Sequence, residues 1–140
     1  MNCNIFYRKI EYPRDTVILH QVGRGPWAPS MTPFAIKLES YLRLAKIPYQ
    51  NVHDMKTSSK GKFPWIEYNG DIIADSQLCI EYLNKKLNID INNHLTDEQR
   101  GIGRAFQKMF EENTYWALAL YRWYYDADLK AIAAFKLPFS

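Results

Sequence analysis

The chain has 140 residues, the length of one ordinary domain, and a formal net charge of +3. Its 18 Lys and Arg are spread out, and the one local cluster, Lys56 to Lys62, is too weak a basic patch to indicate nucleic acid. No apolar run approaches the roughly 20 residues that span a bilayer, and the two cysteines, Cys3 and Cys79, differ too much in context for a disulfide framework.

Residues 1–14 show no clear period, include Pro13 and read as an extension. Their start lacks the apolar stretch of a secretion signal, so a reducing, cytoplasmic setting is expected, with membrane association left open. Thr16–Val22 is β-branched and mostly apolar, as a buried central strand is. Gly23 to Pro33 contains two Gly and three Pro and reads as a long shaped loop. Pro33 then opens a helix whose apolar face is Phe34, Leu38, Tyr41, Leu42 and Ala45. Thr32 stands at its N-cap, with proline at the first helical position. Pro48 ends this helix, and Tyr49–His53 reads as a second strand. Lys56–Lys62 is polar and is expected to be mobile.

The stretch Lys62–Ser76 is the most informative. Trp65–Tyr68 and Asp71–Ala74 flank Asn69-Gly70, the strongest short signal for a two-residue hairpin, because a type I′ turn needs positive φ at both central residues. Pro64 sits at the start of the first strand, where its missing N–H costs least. Asp75 and Ser76 close the second strand and open a helical pattern, so either can cap that helix. A helix mouth offers free N–H groups and a positive dipole end to a carboxylate.

Cys79, Ile80, Leu83 and Leu87 form the apolar face of the helix that follows, so Cys79 reads as core. Asn88–His94 is a polar connector and the expected domain seam. Leu95–Gln99 contains a capping box, Thr96 with Gln99. Ile102, Ala105, Phe106, Met109 and Phe110 continue into Asn113, Trp116, Ala117 and Leu120, a long helix with an interruption near Asn113–Thr114. Asp128–Lys136 is weakly helical and stops at Pro138. Trp116, Tyr121, Arg122, Trp123, Tyr124 and Tyr125 either pack or line an apolar site. His20, His53 and His94 show no metal-ligand spacing, and no metal is expected.

A helix between the first two strands makes them parallel, and the hairpin adds an antiparallel edge, which gives an α/β fold. Phe63-Pro64, the hairpin and then Asp75-Ser76 resemble the second half of the thioredoxin-like domain of glutathione transferases. Thr32-Pro33-Phe34-Ala35 resembles the Cys-Pro-Phe-Ala that opens the first helix of omega-class transferases. More closely, Asp15–Gln21, Pro29–Arg43, Pro48–Gln50, Phe63–Gly70, Ile73–Ser76, Leu95–Arg100 and Glu111–Trp116 resemble the failed axon connections family. These are glutathione-transferase-like proteins related to metaxins.

The resemblance implies three regions. These are an extension over 1–14, a thioredoxin-like N-terminal domain over 15–88, and the start of an all-helical C-terminal domain, incomplete, over 95–140. It implies a cis bond before Pro64, with Phe63, Pro64, Asp75 and Ser76 binding glutathione as ligand or substrate. Lys60 and Lys62 either meet its glycyl carboxylate or form a solvated charge run. Thr32 takes the catalytic position and Ser30 is a second hydroxyl nearby, although Thr32 also reads as a plain helix cap. Without a cysteine at position 32, the expected protein is non-catalytic or weakly active and acts through binding. In relatives that role concerns axon development or metal and stress response. The alternative is an active transferase conjugating glutathione to small electrophiles. A protein partner or a homodimer is a further expectation.

Overall fold

A computed structural model describes residues 12–24, 28–54 and 56–126. Cys3 and the expected helix over 128–136 lie outside the described residues. The described residues divide into two compact units, one holding Ser30–Ile89 with 12–23, the other holding 24, 28–29 and 90–126.

The first unit is built on a four-stranded sheet. Its strands are β1 (Val17–His20), β2 (Tyr49–Val52), β3 (Trp65–Tyr68) and β4 (Asp71–Ala74), in the order β2-β1-β3-β4. β1 and β2 are parallel, and β1–β3 and β3–β4 are antiparallel. Helix α1 (Pro33–Leu44) joins the parallel pair, and α2 (Ser76–Leu87) follows β4. The Asn69-Gly70 turn takes positive φ at both residues, 49° and 93°, as a two-residue hairpin demands. The approach to β1 is pinned to this turn, because Asp15 N–H donates to Asn69 Oδ1 and Asn69 Nδ2 donates to Asp15 Oδ1, each at 2.9 Å.

The alternation of each strand sorts its side chains onto two faces. Val17, Leu19, Ile66 and Tyr68 turn toward the helices and pack with Leu38, Tyr41, Leu42, Ile47, Cys79 and Leu83 in one buried cluster. Tyr41 crosses that core and its hydroxyl donates to Asn84 Oδ1 of α2 at 2.7 Å. α1 ends where Lys46 adopts φ 54° and Ile47 N–H donates to the Leu42 carbonyl at 2.9 Å. α2 ends with Asn88 at φ 52°, the left-handed stop that asparagine tolerates.

Among its described residues, the crossover from β2 to β3 contains no helix. Its polar composition suggests mobility, yet the chain closes a turn around Ser58. Gly61 N–H donates to the Ser58 carbonyl at 2.8 Å, and Lys62 N–H to Ser58 Oγ at 3.2 Å. Ser58 is buried by these contacts.

Glu39 of α1 is 3% exposed and accepts from Arg43 Nη2 at 2.7 Å, Tyr49 hydroxyl at 3.0 Å, Gln21 Nε2 at 3.1 Å and Asn51 Nδ2 at 3.3 Å. Burial alone would raise its carboxyl. The hydrogen bonds from Gln21, Arg43, Tyr49 and Asn51 outweigh burial and bring it from an ordinary 4.5 down to about 2.

The second unit begins with α3 (Asp97–Met109), capped by Thr96. Gln99 N–H donates to Thr96 Oγ1 at 3.2 Å, and Thr96 N–H donates to Gln99 Oε1 at 3.0 Å, the expected capping box. The interruption expected near Asn113–Thr114 is a π-turn over Phe110–Thr114, in which Tyr115 N–H reaches the Phe110 carbonyl. α4 (Tyr115–Leu120) follows, then a second π-turn over Tyr121–Tyr125. Phe106, Phe110, Trp116 and Trp123 are all exposed. No helix among the described residues is long and apolar enough to cross a membrane.

Glu39 gives a test of the α1–β2 seam. Its carboxylate is lowered in the folded state, so its contribution is complete above about pH 4.5 and is lost as pH falls toward about 2. That contribution is worth about 3 kcal/mol in denaturant unfolding. In Glu39→Gln, stability at neutral pH should drop by about 1–3 kcal/mol and the acid-linked loss should shrink. An unchanged acid limb in Glu39→Gln would contradict the network.

Candidate functional site

The hairpin register positions the candidate groove. Tyr68↔Asp71 and Trp65↔Ala74 are the outer pairs of the β3–β4 ladder, so Asp75 emerges opposite Pro64. Asp75 N–H donates to the Pro64 carbonyl at 3.2 Å. The Phe63–Pro64 peptide bond is cis. The expected bent proline wall and the mouth of α2 therefore stand side by side.

Asp75 is the N-cap of α2. Its Oδ1 accepts from Gln77 N–H at 2.9 Å and Leu78 N–H at 3.3 Å. It does so at φ 87° and ψ 128°, a left-handed conformation costly for a residue with a Cβ. Strain of this kind persists only where the surroundings over-determine it, and it clusters at ligand clamps. Ser76, the first residue of α2, is buried.

Thr32 caps α1 in the extended conformation, and its hydroxyl accepts from Ala35 N–H at 3.2 Å. An accepting hydroxyl keeps its hydrogen for an outside acceptor. Ser30 is buried behind it, with Thr32 N–H directed at Ser30 Oγ at 3.4 Å. The two helices are bridged near their starts, where Lys37 Nζ donates to Gln77 Oε1 at 2.7 Å. Phe63 and Pro64 are thus joined to Asp75 and Ser76, while Thr32 and Ser30 form a second group at the start of α1. Lys60 and Lys62 are exposed in the crossover.

Cys79 is fully buried, and its thiol donates to the Ile73 carbonyl at 3.3 Å. Burial, then the nearby Asp75 charge, pushes this thiol up to about 12, so it is no nucleophile.

The chain matches the glutathione S-transferase N-terminal domain over residues 33–128. The chain belongs to the glutathione S-transferase N-terminal domain family. It is similar to Failed axon connections of Drosophila melanogaster, 38% identical across 81% of this chain and 28% of that protein. It is also similar to isoprene-epoxide–glutathione S-transferase of Rhodococcus sp. (strain AD45), 30% identical across 76% of this chain and 48% of that protein. The crystal structure of glutathione transferase Omega 3C from Trametes versicolor shares the fold, with a TM-score of 0.55 and 20% identity over 72% of this chain and 45% of that one. The chain thus spans less than half the length of each of these relatives.

One polar group on the other sheet face escaped sequence reasoning. His20 stacks on Trp65 and meets Glu67 and Asp54. Its signal is the β1–β3 register, Ile18↔Glu67 and His20↔Trp65, which no spacing along the chain discloses.

The cap yields a stability test. Asp75→Ala removes the acceptor for Gln77 and Leu78 and should cost on the order of 1–2 kcal/mol in denaturant unfolding. Asp75→Asn keeps a capping oxygen and tolerates positive φ, so it should stay within about 0.5 kcal/mol of the parent. Equal losses in the two variants would contradict the capping role.

Proposed function

We propose that this glutathione S-transferase-like protein binds glutathione at the Phe63–Pro64 and Asp75–Ser76 groove and has little or no transferase activity of its own. The observation that carries the reading is Asp75, held at φ 87° so that its main chain faces the Pro64 carbonyl while Ser76 begins α2. The Ser76 N–H and hydroxyl at that helix mouth suit the carboxylate of the γ-glutamyl end. The main chain of Phe63 suits the cysteinyl peptide of the ligand.

Weak chemistry is the reading because Thr32 stands at the α1 mouth. A threonine hydroxyl can donate to a bound thiolate but cannot act as a thiolate itself. Its oxygen is already engaged with Ala35 N–H. The Rhodococcus relative, by its name, is a transferase for an epoxide, which keeps conjugation of small electrophiles as the competing activity. Failed axon connections names a relative by a phenotype, so a cellular role through binding agrees with it.

Calorimetric titration with glutathione tests the reading. Saturable heat is expected in the parent, and Ser76→Ala should weaken binding by roughly 1–3 kcal/mol, the cost of one buried polar partner. Turnover of a chromogenic electrophile should stay near background. No binding heat would overturn the glutathione site. Robust conjugation that is lost in Thr32→Ala would overturn the weak-activity reading in favour of a working transferase.

A further inference from the structure

The face of the sheet opposite the helices carries His20. It is 3% exposed and lies face to face with Trp65, the rings 3.6 Å apart and 2° from parallel. Its Nε2 is 2.8 Å from Glu67 Oε1, and its Nδ1 is 3.6 Å from Asp54 Oδ1. Nδ1 and Asp54 Oδ1 are both buried, and neither has a hydrogen-bond partner among the described residues. Tyr12, from the segment before β1, meets the same ring edge-on at 6.4 Å. Burial, then the charges of Glu67 and Asp54, raises the Tyr12 phenol. Among the described residues, the groups facing His20 are Tyr12 before β1, Asp54 after β2, and Trp65 and Glu67 on β3.

The hydrogen-bond inventory of imidazole decides between its forms. A neutral ring has one N–H and one lone pair. With the proton on Nε2 the contact to Glu67 is made, but the Nδ1 lone pair then faces a carboxylate oxygen, which is also an acceptor. With the proton on Nδ1 the same conflict moves to Glu67. The doubly protonated ring resolves both conflicts, donating from Nε2 to Glu67 and setting Nδ1–H against Asp54 Oδ1 as an ion pair, and its charge gains from the indole face.

We propose that His20 is a charge-dependent clasp, closed when both ring nitrogens carry protons and opened when Nδ1 loses its proton, and that it fastens the β2–β3 crossover to the sheet. Asp54 opens that crossover. Trp65, stacked on the clasp, also holds the crossover, because its Nε1–H donates to the Lys56 carbonyl at 2.9 Å. Loss of the Nδ1 proton leaves the buried Asp54 Oδ1 facing a lone pair, which favours its release into water. The segment running to Phe63–Pro64 then loses one of its fastenings. None of this depends on glutathione.

The test is hydrogen exchange of the amides over 53–62 between about pH 5 and about pH 8, the range in which histidines titrate, corrected for the intrinsic pH dependence of exchange. In the parent, protection of these amides should fall about tenfold toward the upper pH, the factor that one partly buried ion pair can supply. The amides of α1 and α2 should keep theirs. In Asp54→Asn the amide can donate to a neutral Nδ1, so protection should be retained at both ends. Protection of 53–62 that does not change with pH in the parent overturns the proposal. So does a pH dependence that Asp54→Asn leaves intact. Should Asp54→Asn fail to fold, the imidazole nitrogen spectrum of the parent decides. Two protonated nitrogens at the lower pH, with the Nδ1 proton lost in step with protection, support the clasp. A single protonated nitrogen there overturns it.

Discussion

Asp75 ends β4 and begins α2 within one residue, and the first unit is arranged around that junction. Its N–H is held by the Pro64 carbonyl, its carboxylate caps α2, and its own carbonyl accepts from Cys79 N–H at 2.9 Å. These bonds leave the main chain no relaxed conformation, which accounts for φ 87°. The constraint originates further back, in Asn69-Gly70. A two-residue turn fixes the β3–β4 register, and that register delivers Asp75 to Pro64. A one-residue slip would turn Ile66 and Tyr68 out of the core and remove the helix mouth from the proline wall.

The parts legible in the sequence are those governed by neighbours along the chain. Asn69-Gly70, Thr32-Pro33 and Thr96 with Gln99 each act over a few residues, and each forms the turn or cap that its chemistry predicts. The apolar faces of α1 and α2 were likewise readable from their period, because Leu38, Leu42, Cys79 and Leu83 all meet one sheet face. What the sequence did not disclose depends on pairing between strands. The Glu39 network draws on Gln21 of the segment after β1 and on Tyr49 and Asn51 of β2, and those residues converge only once the parallel register is set. The ordered turn at Ser58 was hidden for another reason, since a polar, lysine-rich stretch looks the same whether its carbonyls are bonded or free. The interruption near Asn113–Thr114 was foreseeable in place but not in kind.

The two faces of the sheet have different characters. The face toward α1 and α2 is an apolar core whose packing fixes where Thr32 and Ser76 stand. The other face carries His20, Trp65 and Glu67, with Asp54 arriving from the crossover. Family membership rests on the match to the glutathione S-transferase N-terminal domain over residues 33–128. On the second face the crossover is a turn fastened by polar contacts. Within the proposed reading, the nucleophile position at Thr32 sets chemistry and the Asp75 junction sets binding, so one can weaken while the other persists.

Amide chemical-shift mapping during addition of glutathione tests the groove most directly. The account predicts that the largest changes fall on Phe63, Ser76 and Gln77, with smaller ones at Thr32 and Ala35. Shifts scattered over the exposed lysines of the crossover, with Ser76 and Gln77 unmoved, would contradict a ligand seated at the mouth of α2.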